Sequence, residues 1–195
     1  MNKDDNEDKP QLWMIVGGNG AGKSTFFKQF LQRTGMPFVN ADLIAADLYP
    51  EDPEGRSREA AGQAEEMRYK YLAERKNFCF ETVFSHPSKV DFIADAKAKG
   101  YEIVMVFIHL EHNGLNKARI SQRVAGGGHN VPDLKVEERI VRTLGHVKSA
   151  IPLCDRVMMY DNSKDGSDAF MPVLSIENGV KTCLLDPMPK WAAKF

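Results

Sequence analysis

Eight residues near the start of the chain, Gly17-Gly18-Asn19-Gly20-Ala21-Gly22-Lys23-Ser24, constrain its fold more than any other segment. They fit the pattern G-x-x-x-x-G-K-[ST]. The flanks are those the pattern needs: an apolar strand at 12–18 and an amphipathic helix at 23–33. Glycine is required because the backbone must curl around a phosphate and turn its N–H groups inward. The following helix offers its positive N-terminal end to the same anion. Lys23 is expected to reach the β and γ phosphates of a nucleotide, and Ser24 to ligate Mg2+. The nucleotide-binding set is then Gly17, Gly18, Asn19, Gly20, Ala21, Gly22, Lys23, Ser24 and Thr25.

A strand–loop–helix unit of this kind belongs in an α/β fold, and the rest of the chain agrees. Apolar strand-like runs at 37–40, 78–83, 103–110 and 156–160 alternate with helical patterns at 42–48, 56–76, 88–99, 115–124 and 136–151. Such alternation predicts a mostly parallel sheet with helices on both faces. The run 103–110 is apolar throughout, as in a strand covered on both sides. The tail, 171–176 and 180–185 around Asn178-Gly179, reads as a β-hairpin with Asn-Gly turn chemistry. The expected architecture is a three-layer fold of the P-loop NTPase type, with about five strands, a helical lid and a small C-terminal hairpin. At 195 residues the chain has the length of one domain, placed at 11–195, with the lid at about 114–142 and the β appendage at about 170–195. The acidic, polar stretch 1–10 reads as a disordered head.

Composition excludes several classes of function. The formal net charge is −1, which argues against a bulk nucleic-acid or membrane binder. No apolar run approaches the roughly 20 residues of a membrane helix, and the head is unlike a signal peptide. Three scattered cysteines, Cys79, Cys154 and Cys183, without C-x-x-C spacing read as reduced thiols of a cytoplasmic protein. His109 and His112 lack a metal-ligand pattern and read as structural. The 15 glycines are ordinary in number, but seven fall in two clusters, 17–22 and 126–128.

The remaining polar residues of interest sit at strand ends and on the helices near the second cluster. Asp42 follows the second strand, at the rim where α/β sheets bind ligands. It could orient and accept the proton of an attacking hydroxyl, or cap the helix that starts beside it. Glu81 ends the third strand, with Thr82 beside it. It could hold a substrate hydroxyl or a water on Mg2+, or simply pair with an arginine. Arg119 and Arg123 share one helix face, and Arg139 and Arg142 lie on the next helix. A guanidinium over the γ-phosphate offsets the charge developing there. Among them Arg123 ranks first, Arg139 second and Arg119 third. From 117 to 142 six basic residues face three acidic ones, a local net charge of +3 on a near-neutral protein. Gly126-Gly127-Gly128 reads as a hinge for this lid, or as a helix terminus with a glycine cap. No Asn-Lys-x-Asp motif is present to read guanine, and the strand at 103–110 runs into Glu111-His112 rather than into an aspartate as in motor ATPases. What remains is kinase-like: a short chain, a basic helical segment late in it and an acidic residue soon after the second strand. A nucleoside or polynucleotide kinase and a non-catalytic nucleotide switch are the alternatives.

Taken together, these segments resemble the zeta toxin family of P-loop kinases. The resemblance is carried by the P-loop, Asn40-Ala41-Asp42, Phe80-Glu81-Thr82, Arg119 to Arg123, Gly127-Gly128-His129-Asn130-Val131-Pro132 and Asp161-Asn162-Ser163, and it covers about 12–163. It implies ATP and Mg2+ as cofactors and a sugar hydroxyl of a UDP-sugar, such as UDP-N-acetylglucosamine, as acceptor. It also implies Asp42 as the catalytic aspartate, with Asn40, Glu81 and Thr82 on the substrate side. Asp161-Asn162-Ser163 would lie near the adenine, or else serve only to form the turn after the fifth strand, and a small antitoxin protein is an implied partner. Val83 departs from the pattern, since relatives often carry a second small hydroxyl residue there.

Overall fold

Strand β1 (Gln11–Gly17) is apolar on both faces, with Leu12, Met14, Ile15 and Val16 fully buried, and this places it inside a sheet. The computed structural model describes residues 9–125 and 133–195. After β1 come α1 (Lys23–Phe26), β2 (Phe38–Val39), α2 (Ala41–Leu48), α3 (Ser57–Ala73), β3 (Phe78–Thr82), α4 (Ser88–Ala98) and β4 (Glu102–His109). Then follow α5 (Asn113–Ala125), α6 (Asp133–Ala150), β5 (Arg156–Asp161), β6 (Met171–Glu177) and β7 (Val180–Cys183).

These form one sheet in the order β2-β3-β1-β4-β5-β6-β7. The first five strands are parallel, and β1 pairs with both β3 and β4. Alternation along β1 sends Leu12, Met14 and Val16 into one core with Phe78, Phe80 and Phe107. Ile15 goes to a second core with Phe26, Phe27, Val106 and Phe170. Helices thus cover both faces, and the three-layer α/β fold expected from the sequence is present.

Two features differ from the expectations. The sheet has seven strands rather than about five, because β6 adds antiparallel to β5 and carries β7 with it. The hairpin therefore extends the main sheet. Its turn is as the Asn-Gly pair demands, with φ of 48° at Asn178 and 80° at Gly179. The helix expected at 23–33 is regular only over Lys23–Phe26. It continues as a π turn, Phe27–Leu31, and a 3-10 turn, Gln32–Thr34. Aromatic packing prevails there over helical periodicity: Phe27 stacks on Phe38 at 3.7 Å, while Phe26 and Phe30 meet Phe170 edge-on.

The register aligns the functional rim. Val16 lies opposite Thr82 and Gly17 opposite Ile108, so the glycine loop emerges beside the C-terminal end of β3. Helices α5 and α6 meet through Ile120, Val136 and Ile140. The hinge expected at Gly126-Gly127-Gly128, together with His129, lies outside the described residues. No helix among the described residues is long and apolar enough to cross a membrane.

Candidate active site

The glycine loop is held open by contacts that glycine alone permits. Gly22 has φ of 97°, and a Cβ there would sit 2.5 Å from Asn162 Nδ2. That amide donates to Ala21 O at 2.9 Å, and its oxygen accepts from the Phe170 N–H at 3.2 Å. Asn162 thus ties the loop to the segment after β5. On the opposite side Asn116 of α5 donates to Asn19 O at 2.7 Å. Lys23, only 7% exposed, folds back to donate to Gly18 O at 3.0 Å.

Glu81 is the centre of the site. Its Oε2 accepts from Ser24 Oγ at 2.7 Å and from Asn40 Nδ2 at 2.8 Å, and its Oε1 lies 3.7 Å from Lys23 Nζ. The pairing with an arginine weighed from sequence is replaced by a lysine, because β3 runs beside β1 and delivers Glu81 to the loop that carries Lys23. Ser24 Oγ and the Glu81 carboxylate are hard oxygen donors of the kind Mg2+ takes, so these two residues fit the ion that the motif implies.

Asn40 also settles the role weighed for Asp42 as a helix cap. The Asn40 side-chain oxygen accepts from Asp42 N at 2.8 Å and Leu43 N at 3.1 Å, so Asn40 is the N-cap of α2. Asp42 stands in the first turn, its carboxylate exposed and not needed by the helix end.

Two cavities open on this centre. One, of about 550 Å³, is lined by Gly22, Lys23, Ser24, Thr25, Asn162 and Phe170 among others, with Glu81 and Arg119 in its wall. The second, of about 340 Å³, is lined by Asn40, Asp42, Thr82, Arg68, Lys89 and Arg139, and it shares Lys23 and Glu81 with the first. Thr82 Oγ1 accepts from the Phe84 N–H at 3.0 Å.

The three ranked arginines part company. Arg139 approaches Asn19 Oδ1 at 3.5 Å and faces the smaller cavity. Arg119 faces the larger one and pairs at 2.9 Å with Asp165, whose side chain is 96% exposed. Arg123 is placed on α5, but its side chain lies outside the described residues. Asp161 serves the fold: its carboxylate accepts from Trp191 Nε1 at 2.9 Å and from Ser163 N at 2.8 Å. Beside it burial pushes the pKa of His109 down to about 4.

Sequence reasoning missed Arg68, Lys89, Asn116 and Phe170. Only Arg68 left a signal, a charge at the fourth-residue spacing of the buried stripe Ala60, Ala64, Arg68 and Leu72 of α3.

Comparison with known proteins bears on this arrangement. A family model described as an AAA domain matches residues 12–143. An uncharacterized protein of Haemophilus influenzae is 28% identical over 138 residues, which is 67% of this chain and 98% of that one. The AvrRxo1-ORF1:-ORF2 crystal structure with ATP superposes with a TM-score of 0.70 at 16% identity, over 90% of this chain and 60% of that one. The chain therefore spans less than two thirds of that neighbour's length. The PezAT chromosomal toxin-antitoxin system of Streptococcus pneumoniae superposes with a TM-score of 0.60 at 14% identity, over 81% of this chain and 70% of that chain. At such identities the structural likeness concerns the fold, which is P-loop kinase-like.

Proposed function

From the premise that the chain belongs to the AAA domain family, with a P-loop kinase-like fold, we propose that it is an ATP-dependent phosphotransferase. It moves the γ-phosphate to a hydroxyl of a small molecule, with the sugar of a UDP-sugar such as UDP-N-acetylglucosamine as the leading acceptor. The observation that carries this reading is the shared wall: Lys23 and Glu81 line both cavities. A phosphoryl donor in the larger one and a hydroxyl acceptor in the smaller one would meet there. The neighbour crystallised with ATP supports that nucleotide as donor.

Each residue then has a task. Loop N–H groups and the start of α1 hold the phosphates. Lys23 leaves Gly18 O to reach the transferring group, where its charge counts most in the transition state. Asp42 orients the acceptor hydroxyl and takes its proton. Arg139 approaches from α6 and Arg119 from α5, each with charge to set against the phosphoryl oxygens. Ser24 and Glu81 would hold Mg2+, which when bound would supply neutralisation of phosphate charge. A cytoplasmic setting and an antitoxin protein as partner complete the proposal. The second rests on the zeta toxin resemblance and on a neighbour that is itself a toxin-antitoxin system.

The test is incubation with ATP and a panel of UDP-sugars, nucleosides and 5′-hydroxyl oligonucleotides. A phosphorylated UDP-sugar is expected. Phosphate on the oligonucleotide alone would overturn the sugar reading. Slow hydrolysis with no phosphorylated acceptor would return the protein to the class of nucleotide switches.

A further inference from the structure

The smaller cavity contains two cations that phosphoryl transfer does not require. Arg68 lies on the buried stripe of α3 and is only 5% exposed. Its guanidinium sits over the rings of Phe80 and Phe92, 5.3 and 5.6 Å from their centroids. Among the described residues its Nε has no hydrogen-bond partner. No carboxylate there forms an ion pair with it, and Glu65, one turn earlier on α3, acts on it only at a distance. Burial pushes its pKa down from the ordinary arginine value, which is the signature of desolvation left largely uncompensated. Ring faces attract a guanidinium, but they do not satisfy its N–H donors. A buried charge without an anion is a costly arrangement.

Lys89 repeats the pattern from a different element. It is half-buried in the first turn of α4, where the helix dipole disfavours a cation and favours an anion. Burial, and then the charge of Arg68, push its ammonium below the usual lysine pKa. Both side chains line the cavity that holds Asp42, and Ser57, Ala61 and Ala64 keep its α3 side free of bulk.

We propose that Arg68 and Lys89 form an anion subsite that takes a phosphate or diphosphate already present on the acceptor. The protein then selects a phosphorylated hydroxyl compound over a neutral sugar or nucleoside. The word acceptor rests on the transfer reading given above; the subsite itself does not. Bidentate donation from a guanidinium and a point charge from the ammonium are the means by which proteins hold such groups.

The test is titration of inorganic pyrophosphate into the full chain with the nucleotide site already saturated by a non-hydrolysable ATP analogue and excess Mg2+. Wild type is expected to bind pyrophosphate. Arg68→Met and Lys89→Met should each weaken that binding by about 10–100-fold and leave the affinity for the ATP analogue unchanged. Absence of pyrophosphate binding in wild type, or unchanged affinity in both variants, overturns the subsite. If Arg68→Met fails to fold, Lys89→Met alone decides, since Lys89 sits at a half-buried helix start. Because binding is read without turnover, the two readings fail separately. Pyrophosphate binding without transfer to any acceptor would sink the kinase and keep the subsite. Transfer to a phosphorylated acceptor that both Arg68→Met and Lys89→Met leave undiminished would sink the subsite and keep the kinase.

Discussion

The two cavities that meet at Lys23 and Glu81 are built by different means. The larger has a contiguous stretch of chain along one wall, Gly20 and Gly22 to Thr25, belonging to a loop fixed by the amides of Asn116 and Asn162. The smaller is assembled from side chains on separate elements, with Asp42 on α2, Arg68 on α3, Glu81 on β3, Lys89 on α4 and Arg139 on α6. Backbone N–H groups suit phosphate, which every nucleotide carries, so the phosphate-holding part of the donor side can be written in one short stretch of sequence. Selectivity for an acceptor has to be written in side chains, and only tertiary folding brings those together.

The largest expected effects test this division directly. Lys23→Ala touches both cavities and should lower transfer by about 10³-fold or more while weakening nucleotide binding. Asp42→Asn touches the smaller cavity alone. It should lower transfer by about 10²–10⁴-fold, the usual worth of a positioned acid–base group, with ATP affinity nearly constant. Steady-state kinetics beside equilibrium nucleotide titration separates the two. Full transfer by Asp42→Asn would remove Asp42 as the base, and a parallel loss of ATP affinity would remove the division itself.

How much of this was legible beforehand follows the same line. The glycine loop could be read because its residues are neighbours in sequence and their spacing carries the mechanism. The hairpin could be read from Asn178-Gly179, but its pairing to β5 could not, since strand partners are chosen non-locally. At α2 the sequence left Asp42 as either a cap or a base. Asn40 takes the cap and at the same time holds Glu81, two hydrogen-bonding tasks for one amide that no local pattern distinguishes. Glu81 was seen at a strand end, yet its partners depend on β3 lying beside β1. Arg68 sits at helical spacing with two alanines, and sequence does not say that the space beside them is a cavity.

A smaller effect is expected on the donor side from Asn162→Ala. The substitution removes the donor to Ala21 O and the acceptor for the Phe170 N–H, leaving two backbone groups in a buried setting without their partners. Unpaired groups of this kind cost about 1–3 kcal/mol each. Nucleotide affinity should fall by about tenfold, within that range, and the melting temperature should drop. The acceptor KM should stay where it was. An acceptor KM that moves while nucleotide affinity holds would show that the loop is not what Asn162 positions.

The smallest effect concerns the support under the same loop and appears only in acid. His109 is buried against Trp191, with Asp161 favouring its charged form and Lys194 opposing it, and the net result is a pKa near 4. In the unfolded chain the value is about 6.5. A lowered pKa means that the folded protein binds the proton less readily than the unfolded one. The neutral imidazole therefore contributes no penalty above pH 7, and stability declines as pH falls through 6.5 towards 4. Between pH 7.5 and 5.5 this single group should remove about 1.4 kcal/mol. Denaturant unfolding at a series of pH values should show that slope in wild type and a flatter one in His109→Gln, whatever the variant's absolute stability. Equal slopes would mean that His109 does not titrate on unfolding. The acceptor side lacks any buried histidine among the described residues, so acid should loosen the Asp161–Asn162 support before it disturbs the cavity around Asp42. Nucleotide affinity should accordingly weaken at a higher pH in wild type than in His109→Gln.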